Sequence, residues 1–118
     1  PDYARTSRDL RYYQQNFIVA STVASASSTT LFTVPTGSTR IITSISVYHS
    51  AGAGGTNDVV LDINGTVFLN VRVMNETNKT QKAELYFAEG IRATSGQTVK
   101  CDNNNADQVF INIAGYDI

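Results

Sequence analysis

Alternation of apolar and polar residues runs through most of this chain and constrains its fold more than any other feature. Val59, Leu61 and Ile63 alternate with Asp58, Val60 and Asp62, and Ala83, Leu85 and Phe87 with Lys82, Glu84 and Tyr86. Near the C-terminus Val109, Ile111 and Ile113 alternate with Phe110, Asn112 and Ala114. Side chains in a strand point to opposite faces at a period of two, so each set belongs on one sheet face. Gly, Asn and Pro turn signals separate these runs at the spacing of an all-β sandwich or barrel. No long amphipathic helix and no internal repeat interrupts the pattern.

Eight strands are predicted: Phe17–Ala24, Thr29–Val34, Thr39–His49, Asn57–Asn64, Thr66–Met74, Thr80–Ala88, Gln97–Cys101 and Gln108–Tyr116. In the third, Ile41, Ile45 and Val47 are expected on one face. Pro35-Thr36-Gly37 reads as a turn with Pro at its second position. Ser50–Thr56 and Gly90–Gly96 read as loops. The hairpin at Asn64-Gly65 poses a register problem. A plain two-residue turn sets Leu61 opposite Phe68. Val67, Leu69, Val71 and Val73 share an alternating set, which instead asks for Leu61 opposite Leu69. Register follows the buried face, so a three-residue loop or a bulge is expected.

Residues 1–16 differ. They hold Arg5, Arg8 and Arg11, three of the six arginines, together with Tyr3, Tyr12 and Tyr13, and lack strand alternation. A short helical turn over Arg8–Gln15, capped by Thr6 or Ser7, is compatible with this segment. Arg and Tyr are enriched at interaction hot spots. The division is therefore an arm over 1–16 and one sandwich domain over 17–118, with Arg5, Arg8, Arg11, Tyr12 and Tyr13 as the candidate partner-binding residues.

The bulk properties narrow the function. The 118 residues fit a single domain, which buries roughly 65–70% of its unfolded surface. A net charge of −1 and a pI near 5.7 provide no basic footprint for nucleic acid. Charged residues make up 16% of the chain, against about 25% in soluble domains generally. A Ser/Thr/Asn surface is cheaper to desolvate, which favours extensive subunit contacts. The solitary Cys101 excludes an intramolecular disulfide framework, and no apolar run reaches membrane-spanning length. The first residues lack the apolar core of a signal peptide, and Pro1 is what removal of an initiator Met would leave. The sequons at Asn64, Asn75 and Asn78 are attributed to chance.

No reactive constellation emerges. His49 and Cys101 are each the sole residue of their type; nothing in their spacing joins them as base and nucleophile, and together they cannot fill a zinc site. The loop 101–108 offers oxygen donors in Asp102, Asn103, Asn105 and Asp107 for calcium, but departs from the EF-hand pattern, and such residues also build turns. The Gly-rich 51–55 lacks the Lys and following helix of a phosphate loop. Asp58 and Asp62, weighed as a glycosidase pair, alternate with the core set and are expected to face solvent. A sugar site would rest on Tyr48, Tyr86 or Tyr116. The expectation is a non-enzymatic protein without metal or cofactor.

Three stretches carry a family resemblance. FTVPTGSTRIITSISVYHS resembles the second and third strands of small jelly-roll structural proteins of tailed bacteriophages. AELYFAEGIRATSGQTVK and VFINIAGYDI are similar to their last three strands. The likeness covers residues 29–118 and consists of strands and turns, with no catalytic residues to transfer. It implies an eight-stranded antiparallel jelly roll and a virion protein. The function expected is a capsid decoration (cement) protein, a homotrimer bound to the major capsid protein on the capsid exterior and made in the host cytoplasm. No nucleic-acid or membrane partner is expected. The alternative is a carbohydrate- or receptor-binding module of a phage tail or fibre, with Tyr48, Asn57 or Asn103–Asn105 lining a groove.

Overall fold

The computed structural model describes residues 15–24, 26–49, 55–76, 79–80, 82–104 and 108–118. It is all-β. The strands are β1 (Gln15–Val23), β2 (Ser27–Thr33), β3 (Arg40–His49), β4 (Gly55–Ile63), β5 (Thr66–Glu76), β6 (Lys79–Thr80), β7 (Lys82–Ala93), β8 (Thr98–Asn103) and β9 (Val109–Asp117). β6 is a two-residue addition to the edge of β5. The other eight form an antiparallel sandwich with sheet orders β1-β9-β3-β7 and β2-β8-β4-β5.

The topology is one long hairpin rolled over. Going in from the two chain ends, β1 pairs with β9, β2 with β8, β3 with β7 and β4 with β5. The tip is the turn at Asn64-Gly65. Pairing of β3 with β9 and of β4 with β8 closes the roll. That is the jelly-roll solution to burying one apolar face of a ribbon. The core between the sheets contains the alternating sets expected of it: Val59 and Leu61, Val99 and Cys101, and Val109, Ile111 and Ile113 are at most 1% exposed.

The hairpin tip resolves its register problem with a bulge. Asn64 and Gly65 take positive φ (48° and 88°), as a primed two-residue turn requires. Ile63 faces Thr66 and Asp62 faces Val67, yet Leu61 faces Leu69. Phe68 is the extra residue. Leu69, Val71 and Val73 thereby reach the inner side, whereas Val67, expected with them, is turned outward and 58% exposed.

A second bulge, at Thr43, corrects the reading of β3. Ile42 faces Gly115 and Ser44 faces Ala114, so Thr43 has no opposite on β9; its Oγ1 donates to the Ala114 carbonyl at 3.3 Å. The extra residue reverses the alternation, and Ile42 joins the core cluster of Ile45 and Val47, while Ile41 is buried apart from that cluster. On the other side Thr43 stands against four residues of β7, between Tyr86 and Ile91. Gly90 within this step has φ +77°. β7 therefore runs on to Ala93 where a loop from Gly90 was expected, and the connection shrinks to a turn closed by Gln97 N donating to Thr94 O at 3.0 Å. The Pro35 turn is also shifted. Ser38 N donates to Pro35 O at 3.1 Å, so Pro35 is the first residue of the turn and Gly37, at φ +84°, is the third, where positive φ is required.

One polar pair within the four-stranded sheet closes one end of the core, and one polar clasp joins the two sheets toward the other. At one end the Arg40 guanidinium meets Asp117 in a two-pronged ion pair of 2.7 and 2.9 Å, with side chains only 12% and 15% exposed. It lies 4.2 Å from the Phe17 ring centre and 4.8 Å from that of Phe32, and those rings meet edge to face across the sheets. Toward the other end Asn103, 1% exposed, donates through Nδ2 to the carbonyls of Val23 and Ala24 at 3.4 and 3.3 Å. Each satisfies a polar group that would be costly to bury alone.

Candidate functional site

The two outer faces of the sandwich differ sharply in charge. On the four-stranded sheet, cross-strand register builds four rows of four; the one nearest the chain ends, Asn16, Tyr116, Ile41 and Arg92, puts the charge of Arg92 at the β7 edge, and three rows lie beyond it. Ile18, Ala114, Ser44 and Tyr86 form the first, Ala20, Asn112, Ser46 and Glu84 the second, and Thr22, Phe110, Tyr48 and Lys82 the third. Alternation makes this face: its members are the neighbours of core residues Phe17, Val19, Val23, Ile45, Val47, Ile111 and Ile113. The centre is small or uncharged. Large apolar groups stand at both margins, with Ile18 78% and Tyr86 77% exposed. Tyr48 stacks on Phe110 at 5.1 Å between ring centres.

The charges on these rows are confined to the β7 edge, where Arg92 stands in the outermost row and Lys82 and Glu84 neutralise each other. Lys82 Nζ is 2.8 Å from Glu84 Oε1. The contact raises the Lys82 pKa and lowers that of Glu84, chiefly through the hydrogen bond between them and then through their attraction. Two shallow hollows flank the Tyr48–Phe110 stack. One, of about 340 Å³, lies toward Ala20 and Thr22. The other, of about 470 Å³, is lined by Ser46, Tyr48, Lys82 and Asn112.

The five-stranded sheet presents the opposite character. Its outer side carries Asp58 beside Arg72, and Asp62 beside Lys100, with Asp102 opposite Val60. Arg72 Nε donates to Asp58 Oδ1 at 2.8 Å in a solvent-exposed pair, and Arg72 is raised in pKa by that bond. Interface cores are depleted of charged residues, because stripping water from an ion is far costlier than from a hydroxyl or methyl. The uncharged sheet face is the one suited to a partner.

The residues singled out in the sequence fall into separate places. Arg5, Arg8, Arg11, Tyr12 and Tyr13 lie outside the described residues, as do the loop 51–54, Asn105 and Asp107, and the side chains of His49 and Asn57. Tyr48 is on the uncharged face, whereas Asn103 is buried on the inner side of the other sheet, so these two do not share a groove. Asp102 and Asn103 likewise point to opposite sides of β8. Among the described residues no three His, Cys, Asp or Glu side chains gather as a metal site. Asp58 is held by Arg72. Asp62, expected in solvent, is partly buried, with Oδ1 lacking a hydrogen-bond partner among the described residues. Cys101, expected half-buried, is fully buried. Burial, and secondarily Asp102, pushes its thiol up to about 12, which withholds the thiolate that reactivity needs. Ile18, Ser46 and Asn112 had no signal of their own in the sequence, and Tyr86 was singled out only as a residue on which a sugar could stack. Their grouping depends on which strands share a sheet.

No protein-family model matches the chain, and no curated protein matches it. Solved structures do. The dimeric latent PorU of Porphyromonas gingivalis is similar to 87% of this chain at 16% identity and a TM-score of 0.58, and the matched part is 12% of the PorU chain. The extra small virus of the giant freshwater prawn Macrobrachium rosenbergii, solved as a virus-like particle, is similar to 88% of this chain at 16% identity and a TM-score of 0.50, covering 77% of the viral chain. At these identities the likeness is one of fold.

Proposed function

We propose that this chain is a virion structural protein, a decoration (cement) protein that binds the exterior of a tailed-phage head as a symmetric oligomer. The observation that carries this reading is the contrast between the two faces: one sheet is solvated by charges, and the other offers small, uncharged and aromatic side chains to a partner. Support comes from the rolled sandwich, a fold found also in the prawn virus particle, where the similar chain is matched over most of its length. The resemblance of residues 29–118 to jelly-roll structural proteins of tailed phages adds to it, a class that includes capsid decoration proteins and in which many members are trimers about a threefold axis.

The mechanism is mechanical, and the chain is not an enzyme on this reading. The major capsid protein is the partner, met by the outer face of the four-stranded sheet. Of the arm expected over 1–16, Gln15 and Asn16 belong to β1; residues 1–14 lead directly into that strand, so Arg5, Arg8, Arg11, Tyr12 and Tyr13 belong to a second anchoring element. Several modest contacts tied together in one oligomer act through effective concentration. The test is co-sedimentation of the purified chain with heads assembled from the major capsid protein of the same genome. The intact chain pellets with the heads, and the chain lacking residues 1–14 stays folded but binds at least tenfold more weakly. Binding unchanged by the truncation refutes the anchoring role of the arm; no binding by either chain refutes the capsid reading.

One observation favours a second reading, a carbohydrate- or receptor-binding module of a tail or fibre. The Tyr48–Phe110 stack with Asn112 alongside combines an aromatic platform and an amide, a pairing suited to a sugar ring. Glycan-array binding that disappears in Tyr48→Ala supports it.

A further inference from the structure

A sheet edge with free backbone groups is a template for another strand, and soluble proteins blunt such edges with charges, Pro, bulges or covering segments. Three of the four edges here are blunted. β7 carries Lys82, Glu84, Glu89 and Arg92 and the wide step opposite Thr43. β2 is interrupted by a register shift at Leu31. β5 is partly covered by β6. Among the described residues β1 has none of these devices. Its nine residues, QNFIVASTV, include no charge, Pro or Gly, and it pairs with β9 in unbroken register from Gln15 to Val23.

We infer that β1 is a self-association edge, pairing antiparallel with β1 of a second copy across a two-fold axis at Val19. The sequence of the strand is complementary to itself in that register. Ile18, the most exposed large apolar residue on this strand, falls opposite the exposed Ala20 of the copy, and Asn16 falls opposite Thr22. On the inner side Phe17 meets Ser21 and Val19 meets Val19. A shift centred on Ile18 sets two bulky side chains against each other, and one centred on Ala20 leaves a gap. A shift that mixes odd and even residues exchanges the faces. With no charge on the strand, no like-charge pair opposes the contact. The product is a continuous eight-stranded sheet whose uncharged outer face is doubled. This inference does not depend on the capsid reading, and it adds a two-fold relation to any ring the chain forms.

Light scattering on a sizing column tests it with the full chain. The wild type is expected to carry an even number of chains. Ile18→Lys places an edge charge at an exposed position, leaving the circular dichroism spectrum unchanged and halving the mass. Adding Ala20→Glu sets Lys against Glu twice across the axis and restores the original mass. A wild type of odd chain number, or an Ile18→Lys mass equal to wild type, overturns the proposal; failure of the double variant to recover overturns the register at Val19. Amide exchange on the wild type is a second check that needs no substitution: every β1 amide is protected if the pairing exists, and only the alternate set bonded to β9 if it does not.

Discussion

At the residue scale, stability rests on a few positions where space or pairing admits one solution. A Cβ at Gly115 would collide with the Ile41 carbonyl oxygen and lie 2.9 Å from Phe17 Cε1. Gly115→Ala is therefore expected to lower unfolding free energy by about 1–3 kcal/mol or more, read from urea denaturation. Asp117→Ala leaves the Arg40 guanidinium without its partner at a site only 12% exposed, at an expected cost of about 3–5 kcal/mol. Arg72→Ala, which removes an ion pair in solvent, should leave the same transition unchanged. Cys101 adds a pH dependence. Its thiol ionises near 9.0 when unperturbed but is held to about 12 in the fold. The unfolded chain thus loses that proton first, so the contribution is whole below pH 9 and declines as pH rises toward 12. Urea midpoints measured at increasing alkaline pH should fall more steeply for wild type than for Cys101→Val, and a thiol reagent should label Cys101 only after unfolding.

At the element scale, the strands were legible because alternation is local, and their ends were less so because bulges are not. The demand that Leu61 face Leu69 exposed the bulge at Phe68 from sequence alone, since two apolar sets had to meet across an identified turn. Nothing local announced the bulge at Thr43. IITSIS satisfies either phase of alternation, and only pairing with both β7 and β9 selects Ile42 over Ile41 for the core cluster. Gly90 misled for a related reason: a glycine between strand-like runs signals a loop as readily as a step within a strand. Its conformation gives a prediction. Gly90→Ala combines a positive φ with a collision against Ile41 Cγ2, and should destabilise the fold more than Gly96→Ala. Gly96 shares the positive φ, but its added methyl has open space. Thermal unfolding of the two variants makes the comparison.

At the scale of the whole molecule, rolling the ribbon sorts alternate residues into a core and two outer faces of unlike character. Composition hinted at this, because a chain with 16% charged residues cannot hydrate every surface with ions. It did not say which surface was left uncharged. Ile18, Ser46, Tyr86 and Phe110 are far apart in sequence and become one surface only through the order β1-β9-β3-β7. The central claim is that this surface meets the capsid. The direct measurement is head binding by two matched variants, Ser46→Arg at the middle of the uncharged face and Val60→Arg on the charged face. An unpaired charge trapped under a partner costs several kcal/mol, so Ser46→Arg should weaken binding at least tenfold while Val60→Arg binds as wild type. Full binding by Ser46→Arg, with loss in Val60→Arg, would contradict the account and move the docking surface to the other sheet.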